Sequence, residues 1–299
     1  MNYFEKLYYH HWNIGFIEKS IQDVLLSDCT HVEVHWVKHP YIDRFFADPF
    51  ILSVSDEEIK VLVEDFPYYD KRGRISMLTV DRESYHLTKK TTILKQPFHM
   101  SYPFIMRKKD GEIWVAPEAS ESGNLYYYFI NSETINLENQ KLLVAEPLLD
   151  STIVEYNKLW WLFCTKVGEN SDKDLYVYYS DNPEGPFKPH TCNPVVSNLS
   201  LARPGGYMIE HDNILYRVCQ ESKNCYGECI NVTRIDKLTP SEFKQTFIKS
   251  IKAQNDEYSG GFHTINGLSD ICVVDGLRTE FAPIRRVIYE SINFLKRKW

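Results

Sequence analysis

Apolar residues along this chain fall in short, strand-length runs separated by polar turns, and five of the runs hold matching places. They are Ile59–Glu64, Ile113–Ala116, Leu159–Phe163, Ile214–Val218 and Ile271–Asp275. Each follows an opening segment: Phe46–Phe50, Ser101–Ile105, Leu149–Ile153, Ala202–Gly206 and Gly261–Thr264. Turn signals such as Asp110-Gly111 and Asp212-Asn213 sit between opening segment and run, as hairpins require. In four units a further strand follows, at 74–80, 124–130, 174–180 and 229–235. Asp48 to Glu64 and Tyr102 to Glu118 are both 16 positions, an internal match hard to obtain from unrelated hairpins. Asp48 to His263 covers 215 positions in four steps. The mean step of about 54 lies near the roughly 40–50 residues of propeller repeats.

The pattern predicts an all-β fold, a five-bladed β-propeller forming one domain over residues 1–299. A pair of β-sandwiches is the alternative, and the regular spacing argues against it. The fifth unit runs out of strands, so the N-terminal segment 1–40 is expected to close the ring. His31–Val37 alternates as a strand should and is the expected closing strand, after a helical or loop lead-in at Val24–Asp28. The blades then occupy about 41–282. Beyond Pro283, Ile284, Val287, Ile288, Ile292 and Leu295 recur at helical spacing, which predicts a short C-terminal helix over 283–299.

Composition sharpens this picture. Aromatics make up 14% of the 299 residues, and such rings favour strands and can also stack on sugars. The formal net charge of −7, with no basic stripe in the body of the chain, disfavours a nucleic-acid partner. Seven cysteines without a C-x-x-C pair fit a reducing compartment. Cys225 and Cys229 lack partners at zinc-site spacing, so no metal and no cofactor is expected. No apolar run of signal-peptide or membrane-span length occurs, which predicts a cytoplasmic protein.

In a propeller the innermost strand of each blade lines the axis. The opening segments therefore bring Asp48, Tyr102, Asp150, Arg203 and His263 toward one point, with Glu64 and Glu118 at the ends of neighbouring strands. Asp48, Asp150 and Glu118 are the candidate catalytic groups, because two carboxylates across a pocket suit glycosidic-bond chemistry. Glu64, Tyr102, Arg203 and His263 are the candidate substrate-binding groups. All but Tyr102 have a structural alternative. Asp48 can hold backbone N–H groups, Asp150 can cap a turn, and the two glutamates can be solvated strand ends. Arg203 can neutralise Asp48 or Asp150, and His263 can be a satisfied core residue. No nucleophile elbow, phosphate-binding glycine loop or H-E-x-x-H motif is present.

Trp12-Asn13-Ile14-Gly15, Phe46–Phe50, His99–Phe104, Pro117–Ser120, Trp160–Phe163, Ala202–Gly206 and Val274-Asp275-Gly276 occur in order. Together they resemble the propeller domain at the N-terminus of plant glucosamine inositolphosphorylceramide transferases and of shorter bacterial proteins. That domain is in turn similar to the five-bladed propellers of arabinanases, xylosidases and invertases. The resemblance to those hydrolases implies a base or nucleophile in blade one, which maps onto Asp48. It implies a second Asp in blade two, where this chain has Ser101-Tyr102-Pro103, and a Glu acid in blade three, where it has Asp150 with Glu146 nearby. In the plant proteins a separate catalytic domain accompanies the propeller, so this chain is expected to act alone or with a partner glycosyltransferase. The expected function is cleavage or transfer of a glycosyl group in a central pocket, in surface-glycan biosynthesis. The alternative is a non-catalytic propeller that presents a glycan to a transferase. Basic residues flanking the C-terminal apolar stripe add a candidate peripheral contact with the inner face of the membrane.

Overall fold

Strands with one or two buried faces, joined by tight turns, assemble here into five sheets arranged as a five-bladed propeller. The computed structural model describes residues 8–108, 111–131, 136–254 and 257–281. Blade one runs Arg44–Val54, Glu58–Pro67, Arg74–Asp81 and Leu87–Leu94 from axis to rim. Blade two runs Ser101–Arg107, Ile113–Glu118, Leu125–Ile130 and Leu137–Val144. Blade three is built on Leu148–Tyr156, Leu159–Lys166 and Asp174–Ser180, with two short strands at its outer edge. Blade four begins with the brief strand Ile209–His211 and continues through Ile214–Gln220, Ile230–Thr239 and Glu242–Ala253. Blade five comprises Ile265–Leu268, Ile271–Phe281, Tyr8–Ile17 and His35–Trp36. Among the described residues the one α-helix is Ile21–Leu26, started by Ser20, whose hydroxyl accepts the Asp23 N–H. No helix among them is long and apolar enough to cross a membrane. The helix expected over 283–299 lies outside the described residues.

Hairpin turns follow their sequences. Asn157-Lys158 and Asp212-Asn213 carry positive φ at both central positions, the geometry that matches strand twist in a two-residue hairpin. A second device recurs at the axis. Asp48, Tyr102 and Asp150 all have φ between 40° and 49°, although none is glycine. The ladder slips at each, between Ala47 and Phe50, Ser101 and Phe104, and Leu149 and Thr152. The same bulge thus stands at the same place in three blades. A bulge leaves a residue out of the ladder and re-aims it, here toward the axis or toward the adjacent blade.

Two expectations are corrected. His31–Val37 is not the closing strand. Tyr8–Ile17 pairs with Ile271–Phe281 over ten residues, whereas His31–Val32 adds in parallel to Glu242–Ala253 and His35–Trp36 adds to the rim of blade five. The alternation in that segment serves two blade edges, with Val32, Val34 and Val37 each buried. The longer ladder satisfies more backbone groups and takes the inner place. Second, Ala202–Gly206 is not a regular strand. Pro204 has no N–H to give. The segment is held to its neighbour by the Gln220 N–H on Arg203 O and the Gly205 N–H on Val218 O. The carbonyls of Ala202 and of Leu201 just before it accept from the guanidinium of Arg217, which is 1% exposed.

Gly206 ends that segment with φ +140°, and a side chain there would overlap the carbonyl of Ile265. Gly206→Ala should therefore cost on the order of 3 kcal/mol or more in chemical denaturation, from backbone strain plus a clash with main chain. Gly123 also has positive φ but open space around it, so Gly123→Ala should cost only about 1 kcal/mol. Equal losses at the two sites would contradict this packing.

Candidate active site at the propeller axis

Six of the seven predicted residues, Asp48, Glu64, Glu118, Asp150, Arg203 and His263, line a single cavity of about 190 Å³ at the axis. Trp12, His99, Ser101 and Tyr226 are also in its wall. Tyr102, the seventh, is not. It is fully buried, with its hydroxyl 2.8 Å from Thr152 Oγ1 and its ring edge-on to Phe50. Ser101 faces the cavity in its stead, and the Tyr102 ring packs into an apolar cluster with Phe50, Phe104 and Tyr207. The reason is chemical: a large ring gains more from that cluster than from a polar cavity.

Carboxylates stitch the blades together around this cavity. Asp275 of blade five accepts the Asp48 N–H of blade one at 3.0 Å. Asp48 accepts the Tyr102 N–H of blade two at 3.2 Å. Glu118 of blade two accepts the Asp150 N–H of blade three at 3.3 Å. Each accepted N–H belongs to one of the three bulged residues, so the group released from its own ladder is satisfied by the preceding blade. The backbone-holding alternative for Asp48 is thus present in the structure, alongside its place in the cavity wall.

Asp275 was quoted in the sequence only as part of a motif, yet it organises one side of the site. It is fully buried and accepts the backbone N–H groups of His263 (3.1 Å) and Thr264 (3.0 Å) and the Thr264 hydroxyl (2.6 Å). His263 Nδ1 lies 2.9 Å from Asp275 Oδ1, and its Nε2 lies 3.1 Å from Asp48 Oδ1. Burial opposes a charge on this imidazole, but the two carboxylates outweigh it and push the group up to about 10. His263 is therefore a cation at neutral pH, shared between two acids. Asp48, Asp275 and His263 bring ligand-type atoms within 4.8 Å of one another, as a metal site would. Both imidazole nitrogens already face carboxylate oxygens, so the imidazolium occupies the cationic place.

The opposite wall is built around Arg203. Its Nε is 2.5 Å from Asp150 Oδ2 and its Nη1 is 2.7 Å from Asp172 Oδ1, while its guanidinium lies over the Tyr226 ring at 5.2 Å. Gln220 adds a donor to the same Asp150 oxygen at 2.8 Å. Asp150 is thus neutralised by Arg203, as the structural alternative for that arginine has it. Glu64 and Glu118 are not solvated strand ends. Each is 7% exposed. Burial, with the nearby charge of Asp150, pushes Glu118 up to about 8 against the pull of Arg203. Burial and the charge of Asp48 raise Glu64 well above the usual carboxylate range. Burial also raises Asp48, though His263 opposes the shift. His99, unflagged in the sequence beyond its motif, accepts the Gly73 N–H on Nδ1, which leaves Nε2 toward Glu64 at 3.5 Å.

A family model described as glucosamine inositolphosphorylceramide transferase 1, N-terminal, matches residues 28–269. The glucosamine inositolphosphorylceramide transferase 1 of Oryza sativa subsp. japonica is 32% identical over 271 residues, which cover 85% of this chain and 36% of that protein. The protein of the same name from Arabidopsis thaliana is 30% identical over 213 residues, 68% of this chain and 27% of that one. The chain thus spans about a third of the length of the curated relatives it matches. Among solved structures, a thermostable family-43 glycoside hydrolase aligns with a TM-score of 0.56 at 11% identity, over 73% of this chain and 82% of that one. A family 117 glycoside hydrolase from Zobellia galactanivorans aligns with a TM-score of 0.52 at 9% identity, over 91% and 92%. At such identities the likeness is one of fold.

Proposed function

The chain belongs to the family of the N-terminal domain of glucosamine inositolphosphorylceramide transferase 1, and from that premise we propose that its axial cavity cleaves or transfers a glycosyl group of a glycoconjugate. A carbohydrate-related role follows from the family and the fold together. The finer reading is carried by one observation: two carboxyls in different surroundings share one small cavity, Glu118 bonded to the Asp150 N–H and Asp48 beside His263. Glu118, pushed up to about 8, holds its proton at neutral pH and can donate it. Asp48, held beside an imidazolium at 3.1 Å, is the partner suited to act as base or nucleophile. Placing two carboxyls in different surroundings is how one site can supply both acid and base. Arg203, Glu64 and His263 then orient hydroxyls. The cavity lies below the roughly 300–1,000 Å³ typical of drug-sized ligands, which suits one sugar ring. The relatives carry the name of a transferase, which favours assembly of a glycoconjugate over its digestion.

A second reading is favoured by two specific features. Blade two offers Tyr102, buried, in place of an acid, and Asp150 is tied up by Arg203 and Gln220. A propeller that holds a glycan for a partner transferase fits these features.

The pH dependence separates the two. If Glu118 is the proton donor, turnover of a glycosyl substrate should fall as pH rises through about 8, as the acid loses its proton. Glu118→Gln should lower turnover by roughly 10²–10⁴-fold and abolish that alkaline limb. A variant that keeps both the rate and the limb would assign the proton to another group. Unaltered glycan binding with no turnover in either protein would favour the presenting role.

A further inference from the structure

Tyr226 reaches the wall of the axial cavity from a loop rather than from a blade strand. Residues 221–229 join Ile214–Gln220 to Ile230–Thr239 in blade four. The Glu221 N–H on Cys229 O (2.9 Å) and the Glu228 N–H on Glu221 O (3.0 Å) close the base of this loop. The Glu221 carboxylate accepts the Ser200 hydroxyl, the Lys223 N–H and the Asn231 amide at 2.7–2.9 Å. On its far side the Phe262 N–H donates to Gly227 O at 2.8 Å. Gly227 has φ +65°, and a Cβ there would come within 2.7 Å of His263 Cβ. The loop is thus pinned to blade five beside the imidazolium, which fixes the direction of Tyr226, a loop side chain positioned by a rigid scaffold.

Tyr226 is 44% exposed as a residue, yet burial raises its phenol well above the ordinary tyrosine range, against the pull of Arg203. The exposed part is therefore the loop and the outer side of the ring, and the hydroxyl end is turned inward among the acids. Its ring lies over the Arg203 guanidinium at 5.2 Å and 5.5 Å from the His263 ring. Its hydroxyl, one donor and one acceptor, bonds to none of the described residues. The neighbouring cations are committed. Arg203 spends Nε on Asp150 and Nη1 on Asp172, and both His263 nitrogens face carboxylate oxygens. A sugar hydroxyl can donate to the carboxylates of this wall, but it also needs a donor of its own.

We propose that Tyr226 is a substrate-contacting, specificity-determining residue of the axial site, its hydroxyl bonded to one hydroxyl of the sugar held there. The inference deepens the reading of the axial cavity as a sugar site and rests on it. It specifies the ligand further: a sugar whose ring carries a free hydroxyl on the blade-four side, with the deoxy analogue at that position disfavoured.

Tyr226→Phe keeps the ring over Arg203 and beside His263 and removes only the hydroxyl. The test is titration calorimetry of both proteins with glucose, galactose, mannose, xylose, arabinose and N-acetylglucosamine, then with each monodeoxy analogue of the sugar that binds. The parent sugar should bind Tyr226→Phe roughly three- to tenfold more weakly, the worth of one neutral hydrogen bond. One monodeoxy analogue should bind the unaltered protein with the same loss and lose nothing further in Tyr226→Phe, which closes a double-mutant cycle on a single contact. The other analogues should each show the full loss in the variant. Equal affinity of the parent sugar for the two proteins would overturn the role of Tyr226 and leave the axial reading intact. So would a loss shared equally by every deoxy analogue, which is what a packing role produces. Absence of binding by every sugar would overturn both.

Discussion

Asp275→Asn is expected to destabilise the protein by about 3–5 kcal/mol, the cost of removing one partner from a buried ion pair. The side chain is fully buried and lies 2.9 Å from a histidine that stays protonated to about pH 10. Its oxygens also satisfy the backbone N–H groups of Asp48, His263 and Thr264. Asparagine keeps the shape but replaces one acceptor oxygen with an NH2 that faces backbone N–H donors, so the loss combines the missing charge with unsatisfied donors. Asp275→Ala should cost more, because it leaves buried donors without a partner at about 1–3 kcal/mol each. In a chain of this size the asparagine variant should melt on the order of 10 °C lower. As a contrast, Lys237 and Glu242 form an ion pair at 2.8 Å with both side chains more than half exposed. Glu242→Gln should change stability by less than about 1 kcal/mol. A loss of that small size at Asp275 as well, by thermal and urea unfolding, would show that the His263 charge is held by something else.

Much of this architecture was legible because a propeller repeats itself. Equal offsets between Asp48 and Glu64 and between Tyr102 and Glu118 marked inner and second strands correctly, and repeat position alone brought six polar side chains to one cavity. What the repeat could not convey was side-chain direction at a bulge. Tyr102 shares its backbone geometry with Asp48 and Asp150, yet a large ring finds an apolar cluster where a carboxylate turns to the cavity. Asp275 escaped as a site residue because blade five has a shorter opening hairpin, so its offset from His263 is 12 positions instead of 16. Its signal was present nonetheless, as an acid ending an otherwise apolar run, Ile271–Asp275. The closing strand was misplaced for a different reason. His31–Val37 alternates more cleanly than Tyr8–Ile17, but alternation shows only that a segment has two faces, and that segment spends its residues on two blade edges.

Asp48→Asn is expected to have a large functional effect as well. The substitution preserves size and an acceptor for the Tyr102 N–H, now 3.2 Å from Oδ2, and removes the charge that faces His263. If Asp48 is the base or nucleophile, glycosyl turnover should fall by at least about a hundredfold, the lower end for such groups. The sugar should still bind, since Glu118, Arg203 and the cavity wall are untouched. A protein that binds without turning over is the right form in which to look for the ligand. Crystals of Asp48→Asn soaked with a series of mono-, di- and trisaccharides are therefore the most direct test of the central claim, that the axial cavity holds the reacting sugar. The account predicts density for one sugar ring at the axis, with its hydroxyls on Arg203 and Glu64 and its glycosidic oxygen within hydrogen-bond reach of Glu118. A bound sugar found only on the outer faces of the blades, with the axial cavity holding none, would contradict it.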